Sequence, residues 1–264
     1  MLEKKNILGV GITNATKKEI LEYIITGLEN SGKKYFIVTP NPEILVLASR
    51  DFKYKNILNK AEIAVNDGIG VTIAGKMLSK PLKERLTGVD LLESLCEIIA
   101  EKPITVGFLG GKDRIADKTV ECLQKKYPGL KVAFAYPEYN FYKNYNDYNG
   151  YKRIDILFVA FGAPKQERWI YENLDKLPVK VAIGVGGSFD YISGRVQRAP
   201  LLVRNLGLEW FFRLIMQPWR IKRQLALLEF AFLILKEKLS RSRERHGDDL
   251  STSQTPARAE DCEI

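Results

Sequence analysis

The sequence has a single histidine, three scattered cysteines and no long apolar run. His246 lies in a polar stretch near the end of the chain, which excludes most histidine-based catalysis and nearly all zinc sites. The cysteines at 96, 122 and 262 are too far apart for a CxxC metal site and indicate no disulfide framework. We therefore expect no metal and no cofactor, and chemistry carried by carboxylate, amide, hydroxyl, guanidinium or ammonium groups.

The sequence also lacks the features of export and membrane insertion. No stretch reaches the roughly 18 uninterrupted apolar residues that a spanning helix needs, and the first residues, MLEKKNILGVGI, lack a signal-peptide core and cleavage site. A cytoplasmic location is the expectation. The chain carries a formal net charge of +9, and residues 195–245 contribute +8 of it through twelve Lys or Arg and four Glu. Such a segment favours a polyanionic partner: nucleic acid, anionic lipid or a diphosphate.

Short apolar runs alternate with helical patterns along most of the chain. Most runs are continuous rather than alternating, which is typical of strands covered on both faces. We therefore predict an α/β fold, with an open, mostly parallel Rossmann-like sheet and helices on both faces. Thr16–Glu19 and Thr87–Asp90 have the spacing of capping boxes that open helices. The predicted strands are 6–12, 34–40, 61–67, 103–110, 131–136, 155–162 and 180–186.

The character of the sequence changes near residue 200. Residues 200–245 are basic, aromatic-rich and helical in pattern, and Pro218 should divide them into two helices. Residues 246–264 have few large apolar side chains, which predicts a disordered tail. The expected organisation is an α/β core over 1–199, a helical appendage over 200–245 and a tail over 246–264.

Polar residues follow the predicted strands, where ligands bind in open α/β sheets. Asp67 is a candidate general base, although the same position suits the N-cap of the next helix. Thr39 and Asn41 are candidates for binding hydroxyl groups, or they shape a turn between prolines. Gln166 follows Pro164 and reads equally as the first turn of a helix. Glycines such as Gly187 allow backbone N–H groups to approach phosphate oxygens.

The basic segment admits several interpretations. Its arginines recur among Trp and Phe residues, and guanidinium groups pair well with phosphate oxygens. The apolar stretch 225–235 is too short to span a bilayer but long enough to lie in its surface. Nucleic-acid binding and an ordinary solvated helix face remain alternatives. A nucleotide-sensing α/β module with a nucleic-acid-binding carboxyl terminus is the runner-up for the whole chain.

Several spaced motifs together resemble one enzyme family. They are VTPNPE, AVNDGIGV, FLGG, FGAPKQE, GVGGSFDYISGRVQRAP, GLEWFFRL and QPWRIKRQ, in this order over roughly residues 5–240. The series resembles the bacterial TagA/WecG/CpsF glycosyltransferases, which include N-acetylmannosaminyltransferases of wall teichoic acid and enterobacterial common antigen assembly. The resemblance implies inverting transfer of ManNAc from UDP-ManNAc to the 4-hydroxyl of GlcNAc on undecaprenyl diphosphate.

The resemblance also assigns roles to residues of this chain. Asp67 becomes the base that deprotonates the acceptor hydroxyl. Independently of the resemblance, no DxD-type carboxylate pair follows a predicted strand, which favours a reaction without a divalent metal. The resemblance further implies an appendage that works at the anionic inner face of the cell membrane, with no nucleic-acid partner and with a homo-oligomer compatible with the apolar surface. The polar groups implied for substrate binding are Thr39, Asn41, Arg85, Gln166, Arg213, Arg220 and Arg223, and those for the nucleotide are Tyr136, Gly187 and Asp190.

Overall fold

The computed structural model describes residues 2–30, 33–137, 154–218 and 221–252. The strands are β1 (Lys4–Ile7), β2 (Val10–Thr13), β3 (Tyr35–Val38), β4 (Ile63–Ala64), β5 (Thr105–Gly110), β6 (Lys131–Tyr136), β7 (Ile154–Ala160) and β8 (Val179–Gly184). The helices are α1 (Lys17–Asn30), α2 (Pro42–Arg50), α3 (Phe52–Lys60), α4 (Ile69–Met77), α5 (Gly88–Ile99), α6 (Ile115–Lys126), α7 (Lys165–Asn173), α8 (Ser188–Ile192), α9 (Leu201–Asn205), α10 (Glu209–Met216) and α11 (Ile221–Thr252).

Six strands form one sheet in the order β4-β3-β8-β7-β5-β6, and every neighbouring pair is parallel. This confirms the predicted α/β class and the parallel sheet. Successive residues of a strand point to opposite faces, so Leu157 packs into one apolar cluster and Phe158 into another. Both faces are therefore covered, and the carboxyl ends of all six strands lie along one edge.

The prediction that residues 6–12 form one strand of this sheet is wrong. The chain reverses at Leu8 and Gly9, both with positive φ, and forms the antiparallel hairpin β1–β2 as a separate two-stranded sheet. The Gly9 N–H donates to Asn6 Oδ1 at 2.9 Å and closes the turn. The usual Asn-Gly or Asp-Gly hairpin signal is missing, so the run reads as continuous.

Two predicted helix starts are confirmed by their hydrogen bonds. The Glu19 N–H donates to Thr16 Oγ1 at 3.2 Å while the Thr16 N–H donates to Glu19 Oε2 at 2.6 Å, a reciprocal capping box at α1. At α5 the Asp90 N–H donates to Thr87 Oγ1 at 3.2 Å, and the Thr87 hydroxyl donates to Asp90 Oδ2 at 2.6 Å. The amino end of α5 is thus fixed from both directions.

The C-terminal helices, α9 to α11, follow the core. The predicted break at Pro218 lies between α10 and α11, because the residue before a proline avoids the helical region. Helix α11 continues to Thr252, so the expectation of a disordered tail from residue 246 does not hold for 246–252. Propagating an existing helix adds one hydrogen bond per residue, and Arg and Glu are good helix formers. Residues 253–264 lie outside the described residues.

One side of α11 belongs to the core. Phe230 and Ile234 are buried in the same cluster as residues of α2. Arg50 on α2 pairs with Glu229, and the Leu8 N–H donates to Glu237 Oε2 at 3.1 Å. Within the described part of the chain, no helix is both long and apolar enough to cross a bilayer.

Candidate active site at the carboxyl edge of the sheet

Asp67 lies just after β4 at the carboxyl edge, as predicted. Its N–H donates to the Pro40 carbonyl at 3.1 Å, and its carboxylate accepts a hydrogen bond from the Gly88 N–H at the start of α5. The N-cap of α4 is Gly68, and no side chain caps that helix. The alternative interpretation of Asp67 as a helix cap therefore does not describe this carboxylate, which is held by α5 instead.

The surroundings of Asp67 favour its protonated form. The residue is half-buried, and burial raises the pKa of its carboxyl to about 7, against the hydrogen bond from Gly88. The negative charges of Glu209 and Asp90 also raise this pKa, and the positive charge of Arg85 opposes them. A carboxylate with a pKa near the operating pH is well suited to accept a proton during a reaction.

The pKa of Asp67 predicts the pH dependence of any reaction in which this carboxylate accepts a proton. Because only the ionised carboxylate accepts a proton, we expect kcat/KM to rise about tenfold per pH unit below about pH 7 and to level off above it. The measurement is kcat/KM in buffers of matched ionic strength. A profile that stays flat through pH 7 would show that Asp67 does not carry the rate-limiting proton transfer.

Thr39 and Asn41 follow β3, the strand beside β4, and each side chain already has a partner within the protein. The Thr39 hydroxyl donates to the Gly184 carbonyl at 3.0 Å and is buried. The Asn41 Oδ1 accepts from the Ile44 N–H at 3.0 Å and caps α2. Both side chains are thus engaged within the protein, and their contact with a substrate stays a prediction.

Gln166 ties together the loops that follow β7 and β8. Its Oε1 accepts from the N–H groups of Gly162 and Gly186 at 3.2 and 3.0 Å, and its Nε2 donates to Glu167 Oε1 at 2.7 Å. The side chain is only 1% exposed. Its amide groups are thus engaged inside the protein, which fits a role in shaping the loops. A direct substrate contact by Gln166 stays a prediction.

Glu167, the residue after Gln166, has two buried hydrogen-bond partners that the sequence did not predict. The carboxyl is fully buried and accepts from the Tyr54 hydroxyl at 3.0 Å as well as from Gln166. Burial raises its pKa above the ordinary value, despite these hydrogen bonds. Nothing in the local sequence signals this pairing, because Tyr54 comes from a helix far away in the chain.

Of the three C-terminal arginines predicted to bind substrate, the structure describes the side chain of Arg213. Arg213, predicted to bind the diphosphate, lies with its guanidinium carbon 4.8 Å from the centre of the Tyr191 ring. A Cβ on Gly187 would lie 3.0 Å from Arg213 Nη2, so the glycine is what permits this close approach. The Arg213 Nε is buried and has no hydrogen-bond partner among the described residues. Arg220 and the side chain of Arg223 lie outside the described residues.

Arg85 contacts the C-terminal helices beside Asp67. Its Nη2 donates to the Arg204 carbonyl at 2.8 Å, at the end of α9. Arg85 thus connects the segment before α5 with the chain that covers the carboxyl edge. Its positive charge lowers the pKa of the Asp67 carboxyl, and its contact with a substrate stays a prediction.

Tyr136 and Asp190 lie farther along the edge. Tyr136 ends β6, the strand at the opposite side of the sheet from β4, and stacks on Phe134 with ring centres 5.2 Å apart. Five strand spacings of about 4.8 Å separate these two strands by roughly 24 Å. Asp190 on α8 pairs with Arg195 Nη1 at 3.5 Å. The structure therefore does not bring Tyr136 next to Asp67, and both nucleotide assignments stay predictions.

Across residues 2–30, 33–137, 154–218 and 221–252, no group of three or more His, Cys, Asp or Glu side chains is placed to hold a metal ion.

Comparisons with known proteins point to one enzyme class. The model of the glycosyl transferase WecG/TagA/CpsF family matches residues 5–244. The N-acetylglucosaminyldiphosphoundecaprenol N-acetyl-beta-D-mannosaminyltransferase of Bacillus spizizenii (strain ATCC 23059 / NRRL B-14472 / W23) is 32% identical over 238 residues, covering 90% of this chain and 93% of that protein. The protein of the same name from Staphylococcus aureus (strain MRSA252) is 35% identical over 241 residues, covering 89% and 93%.

Proposed function

The chain belongs to the glycosyl transferase WecG/TagA/CpsF family, and we propose that it moves ManNAc from UDP-ManNAc to the 4-hydroxyl of GlcNAc on undecaprenyl diphosphate. The relatives carry names that describe this acceptor and this sugar. The proposed setting is assembly of the linkage unit of wall teichoic acid or a related surface polymer. Family membership favours an enzyme over the nucleotide-sensing module.

The observation that carries the proposal is the Asp67 carboxyl at the carboxyl edge of the sheet, which accepts from the Gly88 N–H and is acted on by the charge of Glu209 at the start of α10, the helix that carries Arg213. In the proposed reaction Asp67 takes the proton of the acceptor 4-hydroxyl. The acceptor oxygen attacks C1 of ManNAc from the face opposite UDP, and the bond from C1 to the β-phosphate oxygen breaks. The bonding electrons leave with UDP, and the configuration at C1 inverts.

Positive charge for the departing diphosphate is assigned to arginines. Arg213 is the best placed, because its Nε is buried and a guanidinium stabilises developing phosphate charge most where water is excluded. Arg220 and Arg223 are proposed to join it. Thr39, Asn41, Arg85 and Gln166 are proposed to shape the acceptor side. Gly187, Asp190 and Tyr136 are proposed to lie along the nucleotide. No strand is followed by the paired carboxylates of a DxD type, so we propose a metal-independent reaction.

We further propose that residues 200–245 form an appendage that rests on the anionic inner face of the membrane, with residues 1–199 as the catalytic core. Support comes from the outward face of α11, where large apolar side chains recur every three or four residues and are exposed. A homo-oligomer would bury the same face. These side chains are Leu225, Leu228, Phe232, Leu235 and Leu239.

A transfer assay tests this function. We expect a short-chain GlcNAc-diphospholipid to receive one sugar from UDP-ManNAc, supplied through an epimerase, and to receive none from UDP-GlcNAc or UDP-glucose alone. The new linkage should have inverted configuration by NMR, and EDTA should leave the rate unchanged. Transfer from another UDP-sugar only, or EDTA inhibition reversed by magnesium or manganese, would contradict the donor or the metal independence respectively.

A further inference from the structure

Arg198 connects two parts of the molecule that meet at the candidate site. It lies in the segment between α8 and α9, and its side chain is only 18% exposed. Its Nη2 lies 2.7 Å from Asp90 Oδ1 and donates to Thr87 Oγ1 at 3.3 Å, both at the start of α5. Its Nε lies 3.5 Å from Glu209 Oε1, at the start of α10. One guanidinium thus joins the amino ends of two helices.

Two of the carboxylates that Arg198 pairs with, Asp90 and Glu209, also act on Asp67, and the third, Glu93, lies 3.7 Å from Arg198 Nη1. The charges that act on the Asp67 carboxyl come from Asp90 on α5, from Glu209 on α10 and from Arg85 in the segment before α5. The helix end that Arg198 contacts also supplies the Gly88 N–H that donates to Asp67. Arg198 therefore offsets two negative charges that act on the candidate base.

Further contacts hold α9 and the link between α9 and α10 against the core. Arg204 Nη1 lies 3.9 Å from Asp90 Oδ1, and the Arg204 carbonyl accepts from Arg85. Gly207, with φ of +75°, turns the chain between α9 and α10, and a Cβ there would lie 2.7 Å from Ile69 Cγ1. Ile69 begins α4, two residues after Asp67. The link between α9 and α10 thus lies directly against the start of α4.

We propose that Arg198 is a positioning residue for sugar transfer: by joining Asp90 to Glu209 it docks α9 and α10 over Asp67 and so fixes Arg213 at the carboxyl edge. The proposal rests on the proposed function insofar as Asp67 is the base. Without the guanidinium, Asp90 and Glu209 would face each other in a partly buried place with less positive charge, and undocking α10 would relieve their repulsion.

The test compares three variants. Arg198→Gln removes the charge, Arg198→Lys keeps the charge without the planar fork, and Arg50→Gln is the matched control. Arg50 also pairs the core with a C-terminal helix, through Glu229 on α11, but it does not act on Asp67. We expect kcat/KM to fall about 10²-fold in Arg198→Gln, less in Arg198→Lys, and by under about twofold in Arg50→Gln.

Two further measurements separate positioning from general destabilisation. In Arg198→Gln the acid limb of the pH profile should move to higher pH, because Asp67 then faces two less compensated carboxylates. Adding Glu209→Gln should return part of that shift. Backbone hydrogen exchange of residues 201–216 should accelerate in Arg198→Gln while exchange of the central sheet is unchanged, and Arg50→Gln should leave residues 201–216 as in the wild type.

The outcomes distinguish this inference from the proposed function. If the unaltered protein makes no transfer product, the proposed function fails, while the exchange measurement still tests the docking role of Arg198. If the pH limb and the exchange of residues 201–216 stay as in the wild type, the inference is overturned. Faster exchange throughout the molecule, with an unmoved pH limb, would overturn it equally, since Arg198 would then serve only stability.

Discussion

Asp67→Asn is expected to lose about 10²- to 10⁴-fold in kcat while keeping the native fold. The amide has nearly the shape of the carboxyl, and its oxygen can still accept from the Gly88 N–H. It cannot take a proton from an alcohol, so the transfer step loses its base. Initial rates with saturating donor and acceptor measure the loss.

The same variant has an expected stability signature. The pKa of Asp67 is raised from 3.8 to about 7 in the folded chain, so folding takes up a proton between these values. This contribution favours the folded state at low pH and is lost as pH rises through about 7. Asp67→Asn lacks the dependence, so its Tm relative to the wild type should increase between pH 5 and pH 8.

A surface control keeps this result interpretable. Asp117 on α6 is partly exposed, beside Arg114, and lies on a different part of the fold. Asp117→Asn should retain full activity and an unchanged pH profile. Full activity in Asp67→Asn would remove Asp67 from the role of base.

Arg213→Gln is expected to lower kcat/KM for the sugar nucleotide by about 10²- to 10³-fold. Its guanidinium lies over Tyr191 and against Gly187, and its buried Nε has no partner within the described parts of the chain. A ligand oxygen would satisfy that donor, and in the proposed reaction this oxygen belongs to the departing diphosphate. Steady-state kinetics and competitive inhibition by UDP measure the effect.

The lysine variant and a surface arginine complete this experiment. Arg213→Lys should recover only part of the activity, because an ammonium keeps the charge but neither stacks on Tyr191 nor offers a planar fork. Arg114→Gln, at an exposed side chain just before α6, should leave the kinetics unchanged. Unchanged kinetics and unchanged UDP inhibition in Arg213→Gln would remove Arg213 from the mechanism.

The sequence predicted the sheet's strands better than their arrangement. Six apolar runs lie in the parallel sheet, because continuous burial leaves a local signature in the chain. The order β4-β3-β8-β7-β5-β6 depends on contacts between distant segments and has no such signature. The turn at Leu8 and Gly9 was missed because leucine rarely occupies a positive φ.

The site shows the same division between local and long-range information. Asp67 was singled out as a candidate because a carboxylate just after a strand is a local pattern. The effect of Asp90 and Glu209 on Asp67 was not predicted, because both residues come from other parts of the chain, Asp90 from α5 and Glu209 from α10. The sequence identified Gln166 as a polar residue after a predicted strand. It did not predict the hydrogen bonds to Gly162 and Gly186, because these require β7 and β8 to be neighbours in the sheet.

The anchoring of α11 bears on how shortened forms of this protein should be interpreted. Phe230 and Ile234 are core residues, and Glu237 holds the first hairpin. Cutting the chain after residue 199 would remove Arg213. It would also expose to water the apolar surface of α2 that Phe230 and Ile234 cover. The truncated protein should aggregate and unfold at a lower temperature. Its inactivity would therefore reflect both the loss of Arg213 and the loss of core packing, so point substitutions test the role of Arg213 more cleanly.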